Sequence, residues 1–180
     1  MAPVAETPLR IEILPAAFLD AKLCADIVEL CEQAYEEPLA GTLAAFENPT
    51  HVLGFLGDEL ASHALWLPRA LRHQSRWLRA AYIEAVATRP RLQGRGFGSA
   101  VLRAAAGHIT SFEIGALSPS DARYYERLGW ERWRGPLLLS TDRGDEPTPD
   151  EEVMILRLPG SPPLDLDGSL AATWRPGDIW

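Results

Sequence analysis

Hydrophobic and polar positions change period several times along the chain, and each change marks an element. Arg10 to Leu14 alternates as a short strand does. Asp20 to Tyr35 then carries apolar residues at Leu23, Ile27, Leu30, Cys31 and Ala34, the spacing of an amphipathic helix. Glu36-Glu37-Pro38 ends that helix, and the segment to Thr50, with Gly41 and Pro49, reads as a loop or a short irregular helix. His51 to Phe55 and Leu60 to Trp66 flank Gly57-Asp58-Glu59 and predict a hairpin. Another strand is expected from Trp77 through Thr88, where Tyr82 to Ala87 alternates large or polar residues with small ones around a bulge. Ser99 to Ile109 returns to the helical period with Val101, Leu102, Ala105 and Ile109 on one face. Phe112 to Leu117 predicts a strand, Ser120 to Leu128 a helix capped by Ser120, and Trp130 to Trp133 a short strand after the helix-stopping Gly129. Leu137 to Ser140 and Val153 to Leu158 read as a final pair of strands around a polar loop. The expected organisation is a single domain over residues 1–180, with a flexible N-terminus at 1–9 and a tail at 160–180.

Composition narrows this picture. With 180 residues, 47% of them apolar, the chain can bury one substantial core but is short for two independent domains. Cys24 and Cys31 lie seven apart on one helix face, which predicts buried small hydrophobes rather than a disulfide or a metal pair. Met1 to Pro8 lacks the pattern of a signal peptide, and no stretch has the roughly 18 unbroken apolar residues of a membrane span. A soluble cytoplasmic protein without a membrane partner is expected. The 17 basic and 25 acidic residues give a net charge of -8, which disfavours nucleic acid and attracts cations.

The clearest chemical signal is Gln93-Gly94-Arg95-Gly96-Phe97-Gly98, between a predicted strand and a predicted helix. Backbone N–H groups there can turn toward one point where the helix dipole adds positive potential, a setting for an anion. Glycine suits it because a Cβ would obstruct close approach and because the turn can adopt φ > 0. No Gly-Lys-Ser/Thr follows as in a P-loop, and the later acidic strand end of a dinucleotide fingerprint is missing.

These residues resemble the GNAT superfamily of N-acetyltransferases, whose acetyl-CoA motif Gln/Arg-x-x-Gly-x-Gly/Ala is matched by Gln93, Gly96 and Gly98. Glu84-Ala85-Val86-Ala87-Thr88 is similar to the family's fourth strand, which pairs with the pantetheine arm at a bulge. Tyr125 to Trp130 is similar to its Tyr-x-x-x-Gly-Phe/Trp segment. A narrower resemblance is to aminoglycoside 2'-N-acetyltransferases, in Tyr82 to Ala87, Gly115 to Ser118, Leu128-Gly129-Trp130, Trp133 to Pro136, Thr148-Pro149-Asp150 and the ending Trp174-Arg175-Pro176-Gly177-Asp178-Ile179-Trp180. The first half is less alike. The resemblance implies a mixed α/β fold, a twisted and mostly antiparallel sheet flanked by helices, with acetyl-CoA held by Val86, Ala87, Thr88, Gln93, Gly94, Arg95, Gly96, Phe97 and Gly98. It also implies a homodimer.

The chemistry then assigns roles. An ammonium must lose its proton before it attacks a thioester, and Glu84 is the candidate base. The departing thiolate wants a proton, and the resemblance gives that part to Tyr125, with Tyr124 as rival. The Val86 N–H is the expected donor to the oxyanion. A polycationic acceptor calls for several carboxylates. Asp150, Glu151, Asp178 and the terminal carboxylate of Trp180 resemble the aminoglycoside-binding groups of the family, with Glu36 or Glu37 standing near the first helix and Ala85 and Ser118 adding contacts. The favoured acceptor is the 2'-amino group of an aminoglycoside. Another polyamine, peptide or metabolite amine, or a module that binds acyl-CoA or a cation without turnover, are the alternatives.

Overall fold

The computed structural model describes residues 8–176 and 178–180, so part of the expected flexible N-terminus, and Gly177, lie outside the described residues. Packing divides the chain into two compact units. One runs to Trp66 and takes in Ala85–Ala105, and the other comprises Leu67–Glu84 and the chain from Ala106 onward.

In the first unit, β1 (Arg10–Pro15) pairs antiparallel with β2 (Thr50–Leu56), and β2 with the beginning of β3 (Glu59–His73). Gly57, at φ 63°, makes the turn between β2 and β3. Helix α1 (Ala21–Tyr35) starts where the Asp20 carboxylate accepts a hydrogen bond from the Leu23 N–H at 2.7 Å, satisfying one of the orphan donors of a helix start. It stops where Glu36 turns left-handed, at φ 60°. The irregular segment that follows contains the short helix α2 (Ala40–Ala45). The apolar stripe of α1 is buried at Ile27, Leu30 and Cys31, which pack with Leu53, Phe55, Leu60 and Ala87. Cys24 departs from expectation: it shares a helix face with Cys31 but is exposed, because it lies two turns nearer the helix start, ahead of the buried stretch that begins at Ile27. Both cysteines are free. The end of β4 (Arg76–Thr88) and the start of α3 (Phe97–His108) complete this unit.

The second unit carries the other end of β3, which runs on to His73, well past the predicted Trp66, and turns at Gln74 (φ 53°) into β4. Its strands lie in the order β6 (Glu131–Arg132), β9 (Met154–Arg157), β5 (Ile114–Leu117), β4, β3, β10 (Leu170–Thr173), β7 (Leu137–Thr141) and β8 (Gly144–Pro147). Of the pairings with a defined register, β4 with β5 and β10 with β7 are parallel and the others antiparallel, so the fold is mixed α/β with a mostly antiparallel sheet. Three expectations are corrected here. Helix α4 (Ala122–Glu126) is capped by Asp121, whose carboxylate accepts from the Arg123 N–H at 3.1 Å, and Ser120 lies before the cap. The predicted final pair does not pair: β9 bonds to β5 and β6, and β7 to β8 and β10. The polar loop holds β8 and the tail holds β10, strands whose register comes from partners remote in sequence. The core is built on Leu71, Leu78, Tyr82, Ile114, Ile155 and Leu170, all but sealed from solvent.

Candidate active site

The turn after β4 belongs to the first unit. Gly94 and Gly96 both adopt left-handed backbone, at φ 75° and 82°, and a Cβ on either would meet no atom within 4 Å. Backbone conformation, rather than crowding inside the protein, therefore requires glycine at these positions. Gln93 donates from Nε2 to the Thr88 carbonyl at 3.2 Å, tying the start of the turn to the end of the strand. Arg95 lies over the Phe97 ring at 5.0 Å. Helix α3 begins at Phe97, and the Ala100 N–H reaches back to the Gly96 carbonyl at 3.0 Å, closing the first turn of the helix on the glycine turn.

The strand leading into this turn is unusual. Ala85 has φ 49°, a left-handed position within the stretch where the sequence predicts a bulge, and four successive carbonyls from Ala85 to Thr88 accept hydrogen bonds from side chains. His63 Nδ1 bonds to the Ala85 carbonyl at 2.9 Å and the Tyr35 hydroxyl to that of Val86 at 3.1 Å. The Ser62 hydroxyl reaches the Ala87 carbonyl at 3.0 Å, while Gln93 serves Thr88. Glu36 and Glu37 are also in this unit, exposed at the end of α1, where Glu36 serves as the left-handed C-cap.

Glu84 belongs to the second unit, in a cluster of charges. Its carboxylate accepts from Arg175 Nη2 at 2.5 Å, and the two side chains are only 20% and 15% exposed. Burial pushes the Glu84 carboxyl above its ordinary range, while Arg175 and then Arg69 pull it back and the charge of Asp178 adds to the rise. Both arginines face the ring of Tyr82, at 4.7 Å for Arg69 and 5.3 Å for Arg175. Tyr82 is fully buried and, among the described residues, its hydroxyl has no hydrogen-bond partner. Arg69 donates to the Ile179 carbonyl at 2.7 Å and the Thr173 carbonyl at 3.2 Å, and Arg175 Nε to the Asp178 carbonyl at 2.6 Å. Trp180 is buried, its indole N–H on the Thr148 hydroxyl at 2.9 Å. The expected tail is thus a folded part of this unit.

Of the predicted acids, Asp178 and Glu151 act electrostatically on this cluster, Asp178 on Glu84 and Glu151 on Tyr82. Asp150 and Ser118 are exposed. Tyr125 is buried, edge-on to Trp130 at 6.3 Å and to its rival Tyr124 at 5.1 Å. Burial first, then Tyr124, Asp121 and Glu84, push its phenol well above the ordinary range, so it keeps its proton. Arg69, Tyr82 and Arg175, which the structure groups with Glu84, were not among the candidates from sequence. The signal for Arg175 was its place in the Trp-Arg-x-Gly-Asp-x-Trp ending. Arg69, on a strand expected to stop at Trp66, had none.

Residues 8–133 match the model of the acetyltransferase (GNAT) domain. Over 128 residues the chain is 34% identical to an aminoglycoside 2'-N-acetyltransferase of Mycolicibacterium fortuitum, covering 67% of this chain and 66% of that one. A GNAT family acetyltransferase from Brucella melitensis, solved in complex with acetyl-CoA, superposes with a TM-score of 0.60 at 15% identity, covering 90% of this chain and 95% of that one. A GCN5-related N-acetyltransferase from Kribbella flavida gives a TM-score of 0.56 at 19% identity over 69% of this chain, which spans 34% of that protein. At these identities the two structures speak to the fold alone.

Proposed function

The chain belongs to the GNAT acetyltransferase family, and from that premise we propose that it transfers acetyl from acetyl-CoA to an amine of a cationic small molecule, most favourably the 2'-amino group of an aminoglycoside. The observation that carries this reading is the left-handed pair Gly94 and Gly96 opening α3 directly after a strand that bears Glu84 and, two residues on, Val86. The family match spans parts of both packing units, which supports a single catalytic domain.

In this reading Gln93 to Gly98 hold the pyrophosphate on their amides and the α3 N-terminus, and Val86 to Thr88 accompany the pantetheine arm. Acetyl-CoA supplies an acyl group activated as a thioester. Glu84 takes the proton from the acceptor ammonium, directly or through one water, so that the nitrogen pair can form the C–N bond. The Val86 N–H steadies the carbonyl oxygen as its charge grows. Tyr125, held as a neutral phenol, gives its proton to the sulfur as the C–S bond breaks. Arg175 has a place in this scheme as a resident cation on the base. The acceptor ammonium takes over that carboxylate, while the guanidinium keeps its contacts to the Asp178 carbonyl and the Tyr82 face. Asp150, Glu151, Asp178 and Ser118, with Glu36 and Glu37, supply the polar surroundings that a polycation needs.

The test is acetyl transfer to an aminoglycoside panel, followed by thiol release. Gentamicin and tobramycin should turn over and kanamycin A, with a hydroxyl at the 2' carbon, should not. Turnover of none of the three would remove the aminoglycoside reading. Absence of a thermal shift with acetyl-CoA would remove the acetyltransferase reading as well.

A further inference from the structure

The first unit contains a cavity apart from the glycine turn. It has a volume of about 300 Å³ and lies among α1, α2 and the chain before β2, lined by Leu19, Ile27, Val28, Leu43 and Phe46, with His51 as the only titratable side chain in its wall apart from the thiol of Cys24. That volume is at the lower end of ligand sites, and roughly ten times the space one water occupies.

The hydrogen bonding of His51 defines what the cavity can accept. His63 Nδ1 lies 2.9 Å from the Ala85 carbonyl, which can only accept, so this nitrogen carries the proton. The thiol of buried Cys31 sits 3.6 Å from the same nitrogen. His63 Nε2 is therefore a lone pair. His51 Nδ1, 2.9 Å from it, must be the donor, which leaves His51 Nε2 also a lone pair. Both rings are neutral: burial lowers His51 to about 4 and His63, with His51 beside it, to about 3. Among the described residues nothing donates to His51 Nε2. An apolar recess with one fixed acceptor in its wall selects for a molecule with an apolar body and a single hydrogen-bond donor.

We propose that this cavity is a binding site, separate from the glycine turn, for a small neutral molecule with an apolar body and one hydrogen-bond donor, phenol-like in chemistry, anchored on His51. The chain behind His51 ends on the carbonyl of Ala85, a left-handed residue of β4, so the anchor is braced against the backbone and cannot change tautomer without breaking two hydrogen bonds.

The test uses the whole protein with p-cresol and its methyl ether, which matches the body of p-cresol and lacks the donor. Cys24 is exposed in the cavity wall, whereas Cys31 is buried, so the rate of Cys24 alkylation by iodoacetamide reports occupancy. p-Cresol should slow alkylation saturably, at a concentration at least about tenfold lower than the ether requires, the ratio that corresponds to about one hydrogen bond. In 15N-histidine-labelled protein the His51 Nε2 resonance should move with p-cresol and stay with the ether, a signature that apolar packing alone would not give. Leu43→Trp, which fills the chamber, should abolish the protection. No protection by p-cresol up to its solubility limit would overturn the proposal. So would equal protection by both compounds, or a His51 resonance that p-cresol leaves in place.

Discussion

The two packing units bury polar groups by opposite means. In the first, His51 and His63 are kept neutral and spend their protons on one another and on a backbone carbonyl. In the second, Glu84 keeps a charge inside by facing Arg175, with Arg69 close enough to add to the effect. Neutral burial costs little until acid forces a proton on it, whereas a buried ion pair is a large liability the moment one partner is removed. The neutral cluster therefore suits bracing a backbone, and the charged one suits proton transfer, where an energetically poised carboxylate is useful.

The sharpest way to break this contrast is Glu84→Gln. It removes the base and should lower kcat by about 10²–10⁴ with acetyl-CoA binding retained, measured as thiol release on folded protein. An unchanged rate would take Glu84 out of the mechanism. Next, Arg175→Gln leaves the buried carboxylate without its main partner. A stability loss of about 3 kcal/mol is expected in denaturant unfolding, because both side chains are largely covered. Since Arg175 lowers the Glu84 value while burial raises it, the acid limb of the activity profile should also move to higher pH.

The histidines respond to acid. Their folded values, about 4 and 3, lie below the ordinary 6.5, so the unfolded chain binds protons first as pH falls. Their contribution to stability should be whole above pH 6.5 and decline toward pH 4, by about 1.4 kcal/mol per pH unit for each ring. Urea titrations across that window check the slope, and a flat response would mean that the rings are open to water. The smallest effect is expected at the turn, where Gly96→Val must bear a left-handed backbone at a cost of roughly 1–2 kcal/mol. Calorimetric acetyl-CoA affinity should fall by about tenfold, with little change in the KM of the acceptor.

These regions were unequally legible in the sequence. The glycine turn could be read directly, since φ 75° and 82° at Gly94 and Gly96 belong to residue type and local order. The end of α1 at Glu36 and the hairpin at Gly57 were legible on the same ground, though at α4 the cap fell on Asp121, one residue past the predicted Ser120. Glu84 was found because it sits in a recognisable strand beside a predicted bulge. Its environment was not, because Arg69 and Arg175 come from chain segments remote from it, and no periodicity relates them.

The amino-acid sequence by itself determined the order of the elements up to Trp133, a break in the strand between Tyr82 and Ala87, the left-handed turn and the family, all properties carried by neighbouring residues and their backbone preferences. Tertiary structure alone decided that β10 slots between β3 and β7, that the tail binds through Trp180 and Arg69, and that Glu84 rests against Arg175. The physical reason is that hydrogen-bond register, desolvation and ion pairing depend on which distant segments share a place, and these become defined only when the chain has packed.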